Sequence, residues 1–333
     1  TDISLIRVRS TSTYRDAPPT VEDLHYRDDR DELLELFDEG MTDDSRIIVF
    51  ATPVTIRNAL NQVVRSESDE HDTVEELMAT GGSKLFHATL VDEASMMDLP
   101  VLFLVGAFLR EACQLMLVGD HRQMQPIQAH DWDDEDRQTI EEHTPALSVL
   151  DFVRFLRGEG DSDLSYLERN PPEWADADAV LPMERLQVTY RLPQPVADLE
   201  TELFYSRDSI ALDSRVDNPT IPDVRTTLDQ DWLRAALEPD PRVTLIVHDE
   251  NRMRSESPLE AELTRQILDA LQTAAPGEST SPETVTAGVV VPFRLQRRRL
   301  RRELAQSVQV DTVEKFQGGE RDLIVLSMTA GNQ

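Results

Sequence analysis

The sequence predicts an α/β protein with mainly parallel sheets, in two domains. Short runs rich in Val, Ile and Leu alternate with segments of helical period, and those segments are long enough for the crossover that parallel strands require. The third observation is length: 333 residues suit two cores of ordinary size, and the expected division is residues 1–165 and 166–333.

Ile3 to Val8 alternates as a strand does, and Asp28 to Glu39 carries Leu33, Leu34, Leu36 and Phe37 at helical spacing. Arg46 to Ala51 reads as a buried strand. Thr52-Pro53 then opens a helix through about Val64, with Pro at its first position. Acidic Glu67 to Asp72 is a loop, and Thr73 caps a short helix that stops at Gly81-Gly82. Phe86 to Val91 is the next strand, Met96 to Ala112 a helix, and Leu115 to Val118 another strand. His130 to His143 is acidic and poorly periodic. The interdomain connection is expected within Arg157 to Leu181, between a helix at about Ala146 to Leu156 and a strand at Leu186 to Thr189. The second half repeats the alternation. It has helices at Pro193 to Leu203, Pro258 to Thr273 and Phe293 to Ala305, and strands at Val243 to Val247, Val285 to Val291 and Leu323 to Met328.

Formal net charge is −31, and of 33 basic residues only Lys84 and Lys315 are lysines. In molar salt a Debye length of about 3 Å screens the self-repulsion of such a chain. The composition therefore predicts a halophile. Hydrophobic residues make up 39% and gather into periodic runs, which excludes an acidic disordered protein. The single cysteine, Cys113, excludes an internal disulfide and is expected to be buried. No run approaches the roughly 18 apolar residues of a membrane span, and the first residues lack a signal-peptide pattern. A cytoplasmic protein is expected, and the opening Thr suggests a piece of something longer.

Four patches at or near the ends of apolar runs carry the chemistry. They are Leu90 to Ser95, Leu117 to Gln123, Val188 to Arg191, and Val310 to Asp322. In open parallel sheets, ligands bind beyond the carboxyl ends of the strands. Asp92 is placed to hold Mg²⁺, Glu93 to orient and deprotonate a water, Gln123 to sense a phosphate, and Arg191 to reach that phosphate from the second domain. Six Asp-Glu pairs occur in the chain, and Asp249-Glu250 also follows an apolar run. Asp92-Glu93 differs in having Ala-Ser and a helix behind it and a Gly-Asp-x-x-Gln patch at the next strand end.

These residues resemble the superfamily 1 helicases of the 5′ to 3′ branch that contains the nonsense-decay and Okazaki-fragment helicases. The resemblance runs from about residue 46 to the end. Asp92 to Ser95 is similar to motif II, Gly119 to Pro126 to motif III, Leu186 to Arg191 to motif IV, and Val310 to Asp322 to motif V. Ala51-Thr52-Pro53 resembles motif Ic, and Val291-Pro292-Phe293 with Gln296 resembles the segment before motif V. The resemblance implies two RecA-like domains with an ATP site in the cleft between them. It implies Glu93, Gln123 and Arg191 as catalytic residues, with Asp92 on Mg²⁺. Asp120, Tyr190, Gln317, Gly319 and Glu320 would lie around the nucleotide. Thr52, Pro53 and Thr312 would contact the backbone of single-stranded DNA or RNA, with DNA preferred, and the motor would act as a monomer.

Two departures qualify this. The phosphate-binding run G-x-x-x-x-G-K-[ST] is absent, since Lys84 after Gly81-Gly82-Ser83 has the wrong spacing, and the arginine-bearing motif VI is absent as well. An internal fragment that hydrolyses ATP poorly or not at all is expected, and the alternative is a non-catalytic nucleic-acid binder or scaffold on a degenerate helicase fold. The arginines at 294, 297, 298, 299, 301 and 302 scatter around one helix. A solvated structural helix is the favoured reading, with a phosphate-binding patch as its rival.

Overall fold

The computed structural model describes residues 3–10, 18–40, 46–67, 85–127, 147–159, 176–216, 228–238, 243–250, 255–273, 286–305, 308–316 and 319–329. The segments expected to hold the Thr73-capped helix, Lys84, the acidic stretch 130–143 and Gln317 lie outside the described residues. The chain divides into two compact units, Thr1–Met183 and Glu184–Gln333. Every strand ladder described within them is parallel.

In the first unit, β1 (Ser4–Arg9) lies between β2 (Glu22–His25) and β3 (Ile47–Phe50). Strand β2 was not anticipated, because Glu-Asp-Leu-His shows no apolar alternation. Its pairing explains it. Leu24 enters the core, while Asp23 sits opposite Arg7 and binds Arg7 Nε and Nη2 at 2.9 and 2.8 Å and Arg9 Nε at 2.9 Å. The Arg7 bond, with help from Arg9, holds the Asp23 carboxyl below its usual range. Helix α1 (Arg30–Leu34) runs into a π-helical turn, Glu35–Gly40, in place of the continuous α-helix expected to Glu39. Helix α2 (Pro53–Glu67) begins with Pro at its first position, where no backbone N–H is needed. Leu33, Leu36 and Phe37 meet Ile56, Ala59 and Leu60 of α2 and Ile6, Val8 and Leu24 of the sheet in one core.

A second ladder in this unit joins β4 (Phe86–Val91) to β5 (Leu109–Leu117) through α3 (Leu99–Ala107). The Asp98 side chain accepts the Val101 N–H and caps α3. The helix expected through Ala112 therefore ends at Ala107. Because α3 is apolar almost throughout, periodicity carries no end signal, and ladder pairing with β4 claims the residues from Leu109 onward. The register shifts between Phe86 and Ala88, and Ala112 adopts φ 59°. The strand bulges there. Cys113, expected to be buried, is half-buried on β5. Helix α4 (Val149–Leu156) is capped by Ser148, whose hydroxyl accepts the Asp151 N–H, and α5 (Ala177–Val180) by Asp176.

The second unit opens with β6 (Val188–Thr189), α6 (Gln194–Glu200) with a π-helical turn at Thr201–Tyr205, and β7 (Asp213–Ser214), which pairs with β6. Then come α7 (Asp231–Ala236), α8 (Pro258–Thr273), β8 (Ala287–Val291), α9 (Arg294–Glu303), β9 (Gln309–Thr312), the short α10 (Val313–Phe316) and β10 (Leu323–Leu326). The three-stranded sheet has the order β10-β8-β9. Val243 to Val247, expected as a strand, joins no ladder among the described residues, and Leu245 and Val247 are exposed. A β-branched run becomes a strand only when a neighbouring edge accepts it.

Val289 and Val291 of the central strand pack on Ala261 and Leu268 of α8, Leu300 of α9 and Val310 of β9. Beneath this lies a buried amide: Gln296, fully enclosed, accepts the Ser257 N–H at 2.9 Å and donates to Ser257 O and Ser327 Oγ at 3.3 and 2.9 Å. Ser327 Oγ in turn donates to Glu260 Oε2 at 2.6 Å, and the Thr329 N–H donates to the same carboxylate. These bonds tie the starts of α8 and α9 to the end of β10. Leu300→Ala should destabilise the chain by about 2–5 kcal/mol. Leu295→Ala, at an exposed position on the same helix, should stay within about 0.5 kcal/mol. Urea unfolding in molar KCl measures both.

Candidate functional site

In the first unit the patches after β4 and β5 are neighbours. The Val118 N–H donates to Val91 O at 2.8 Å, and the Ala94 N–H donates to Val118 O at 2.9 Å, so backbone bonding continues past the ladder. Glu93 follows the strand in the left-handed region, φ 53° and ψ 41°, and leads a 3₁₀ turn, Ala94–Met96. Its N–H donates to Asp92 Oδ1 at 3.0 Å. Both carboxylates are exposed, and Asp92 Oδ2 has no partner among the described residues. The left-handed backbone costs a residue with a Cβ about 1–2 kcal/mol. Close approach makes Gly119 necessary: a Cβ there would lie 2.8 Å from Ala94 N and 2.9 Å from Leu150 Cδ1.

Asp120 organises the next turn. Its Oδ1 accepts the Arg122 N–H at 2.9 Å, its Oδ2 accepts Gln123 Nε2 at 3.0 Å, and its carbonyl accepts the Gln123 N–H. The exposed Gln123 side chain is therefore held against Asp120. Two features were not foreseen. Gln125 Nε2 reaches Asp151 of α4 at 3.4 Å, and Ser95 Oγ is buried without a partner among the described residues. No group of three or more His, Cys, Asp or Glu suited to a metal occurs among the described residues. One free carboxylate oxygen fits Mg²⁺ carried largely by phosphates and water, which takes one or two protein ligands.

In the second unit, Tyr190 and Arg191 follow β6, with Tyr190 exposed. The N–H groups of Arg191 and Leu192 both donate to Thr189 Oγ1, at 3.3 and 3.2 Å. Arg191 Nε donates to Glu320 Oε1 at 2.8 Å, joining two patches 129 residues apart in sequence. Gly319 is also required by contact, since its N–H donates to Phe316 O and a Cβ there would lie 2.9 Å from that oxygen.

The two threonines are more committed than sequence suggests. Thr52 Oγ1 accepts the Thr55 N–H at 3.2 Å and lies 2.8 Å from Thr55 Oγ1, so it caps α2, although it remains exposed. Pro53 beside it is half-buried. Thr312 is buried at the end of β9. A hydrogen bond from its side chain is the first of the causes that hold the Glu314 carboxyl below its usual range. Three of the six arginines of α9 pair with carboxylates of the same unit. Arg297 Nη1 and Arg301 Nη2 bind Asp311 at 2.9 Å each, Arg301 Nε donates to Val310 O, and Arg299 pairs with Glu256 and Glu303. Asp311 thus anchors the strand end that carries Thr312. The signal was present as Arg297 and Arg301 one turn apart, but its partner was not.

Residues 174–333 match the AAA domain model AAA_12. The chain is 28% identical over 273 residues to the DNA replication ATP-dependent helicase/nuclease DNA2 of Mus musculus, covering 75% of this chain and 22% of that protein. It is 25% identical over 270 residues to the protein of the same name from Homo sapiens, covering 75% and 22%. Against the helicase/nuclease JHS1 of Arabidopsis thaliana it is 22% identical over 261 residues, covering 75% and 17%. The chain spans about a fifth of the length of these curated relatives. The likenesses support a helicase family of the superfamily 1 kind. Among the described residues no helix is long and apolar enough to cross a membrane.

Gly119→Ala should destabilise the first unit by about 1–3 kcal/mol, because backbone lies on one side of the added methyl and Leu150 on the other. Thermal unfolding would measure it. Asp322 closes the Val310 to Asp322 patch and accepts the Thr286 hydroxyl and N–H, both at 2.7 Å, which holds its carboxyl below the ordinary value. Its contribution is therefore fully present above the unfolded value of about 3.9 and lost as pH falls through the lower folded value. Thr286→Val should flatten the fall in stability as pH drops below the unfolded value, read from urea midpoints.

Proposed function

We propose that this chain is core machinery of an ATP-dependent nucleic-acid helicase, in which hydrolysis drives movement along single-stranded nucleic acid. The observation that carries the reading is that the Val91, Val118 and Ala94 backbone bonds set the strand end leading into Asp92-Glu93 beside the strand end leading into Gly119-Asp120. DNA is the proposed track, since the relatives named above are DNA replication helicase/nucleases. The two compact units are read as two RecA-like domains.

Bound Mg²⁺ would supply charge neutralisation on the phosphates, with Asp92 as its protein ligand. Glu93 takes the proton of the attacking water, its carboxylate pushed clear of the strand by the left-handed backbone. Gln123 hydrogen-bonds the terminal phosphate while Asp120 sets its rotamer. Arg191 stabilises charge on the transferring phosphoryl group. Asp120, Tyr190, Gln317 and Gly319 line the nucleotide, with Glu320 near its ribose or phosphates. Thr52, Pro53 and Thr312 touch the nucleic-acid backbone, where their contacts position the strand without reading sequence. The acidic, Lys-poor surface suits a cytoplasm of high salt. In that salt the counterion-release gain is small and hydrogen bonds carry more of the binding. Action as a monomer is part of the reading.

The 333 residues contain no G-x-x-x-x-G-K-[ST] run and so lack the main anchor for the β- and γ-phosphates. The expected outcome is negligible ATP turnover by this chain in Mg²⁺ and molar KCl. A form extended at both ends should turn over ATP, faster with single-stranded DNA, and Glu93→Gln should abolish that turnover, by a factor of about 10² or more. Silence from the extended form would favour a non-catalytic nucleic-acid binder.

A further inference from the structure

Arg191 and Glu320 reach each other from two loops that are both fixed. On one side, Thr189 Oγ1 accepts the N–H groups of Arg191 and Leu192 and sets the backbone from which the arginine projects. On the other, Glu320 stands between two anchors. Gly319 N–H donates to Phe316 O at 2.9 Å, and the Arg321 guanidinium lies 5.8 Å from the Phe316 ring centroid while also bonding the Gln309 side chain. One residue later, Asp322 binds Thr286. The two side chains nevertheless meet in solvent, with relative exposures of 57% and 64%.

An ion pair this exposed contributes little to stability. Its geometry is more informative. The bond uses Nε–H of Arg191, and the terminal Nη1 and Nη2 have no partner among the described residues. A guanidinium held at Nε keeps its outer fork for a second acceptor, an arrangement that an ammonium group cannot provide. Without such a tether, a long exposed arginine would spread over many rotamers before meeting a phosphate.

We infer that Glu320 is a positioning residue for Arg191, holding the guanidinium by Nε–H so that Nη1 and Nη2 face the transferring phosphoryl group; this rests on the helicase reading given above. Glu320 thereby acts on the reaction through Arg191.

The test is a double-mutant cycle in a form of the protein extended at both ends, with Arg191→Ala, Glu320→Ala, the double variant and Glu320→Gln. Glu320→Ala should lower kcat by about tenfold with KM for ATP within about twofold, the signature of lost orientation. In the Arg191→Ala background the same change should do nothing further. Glu320→Gln keeps an oxygen acceptor for Nε–H and should retain more activity than Glu320→Ala. Additive losses, or a large rise in KM from Glu320→Ala alone, would mean that Glu320 meets the nucleotide directly and would overturn the inference. No turnover in the parent protein would count against the helicase reading instead. In that event the Arg191 Nε–H resonance of the 333-residue chain decides the pairing: it should shift on Glu320→Ala, and an unmoved resonance refutes the pair.

Discussion

Two backbone hydrogen bonds, from Val118 to Val91 and from Ala94 to Val118, carry the pairing of β4 and β5 beyond their last ladder residues. They matter because the strands are parallel. Parallel strands point their carboxyl ends the same way, so residues far apart in sequence that follow such strands arrive at one edge. A slip of one position would turn Asp92 to the opposite face of the sheet and leave Glu93 without its turn. Gly119 is the steric condition for the arrangement, since any side chain there would push the second strand end off the first. In the second unit, Thr312 ends β9 and Arg191 follows β6, strands of two separate sheets, and Asp311 and Thr189 fix the backbone at those points.

Elements with strong periodicity were legible. The helix read from Pro258 to Thr273 is the helix found, and the apolar strand before the arginine-rich helix lies at the centre of its sheet. Reading failed where pairing rather than pattern decides. Strand β2 is polar and is held through Asp23 between two arginines. Val243 to Val247 has strand composition but joins no ladder among the described residues. The helix before β5 was drawn too long because an evenly apolar run gives no phase by which to find its end.

For the site, sequence order indicated which residues follow strand ends, and the ends that lead into Asp92-Glu93 and Gly119-Asp120 do lie side by side. It could not reveal how hydroxyls and charges are already engaged. Thr52 caps a helix, Thr312 holds Glu314, and the arginines of α9 spend much of their charge on Asp311, Glu256 and Glu303. Part of a composition that looks like a basic patch, Arg297 and Arg301, is in three dimensions a brace for the strand end beside it. Gln296 was noticed only as part of a resemblance, and its buried amide ties two helix starts to β10.

Glu93 keeps a left-handed backbone that Gly or Asn would adopt with less strain. Folding alone gives no reason for a glutamate at that position; on the helicase reading proposed above, the chemistry of its carboxylate supplies one. The position therefore also works as a historical record. In a lineage where hydrolysis had ceased to matter, drift toward Gly or Asn would relax the backbone at once, and a single codon would then separate retired copies of this domain from working ones.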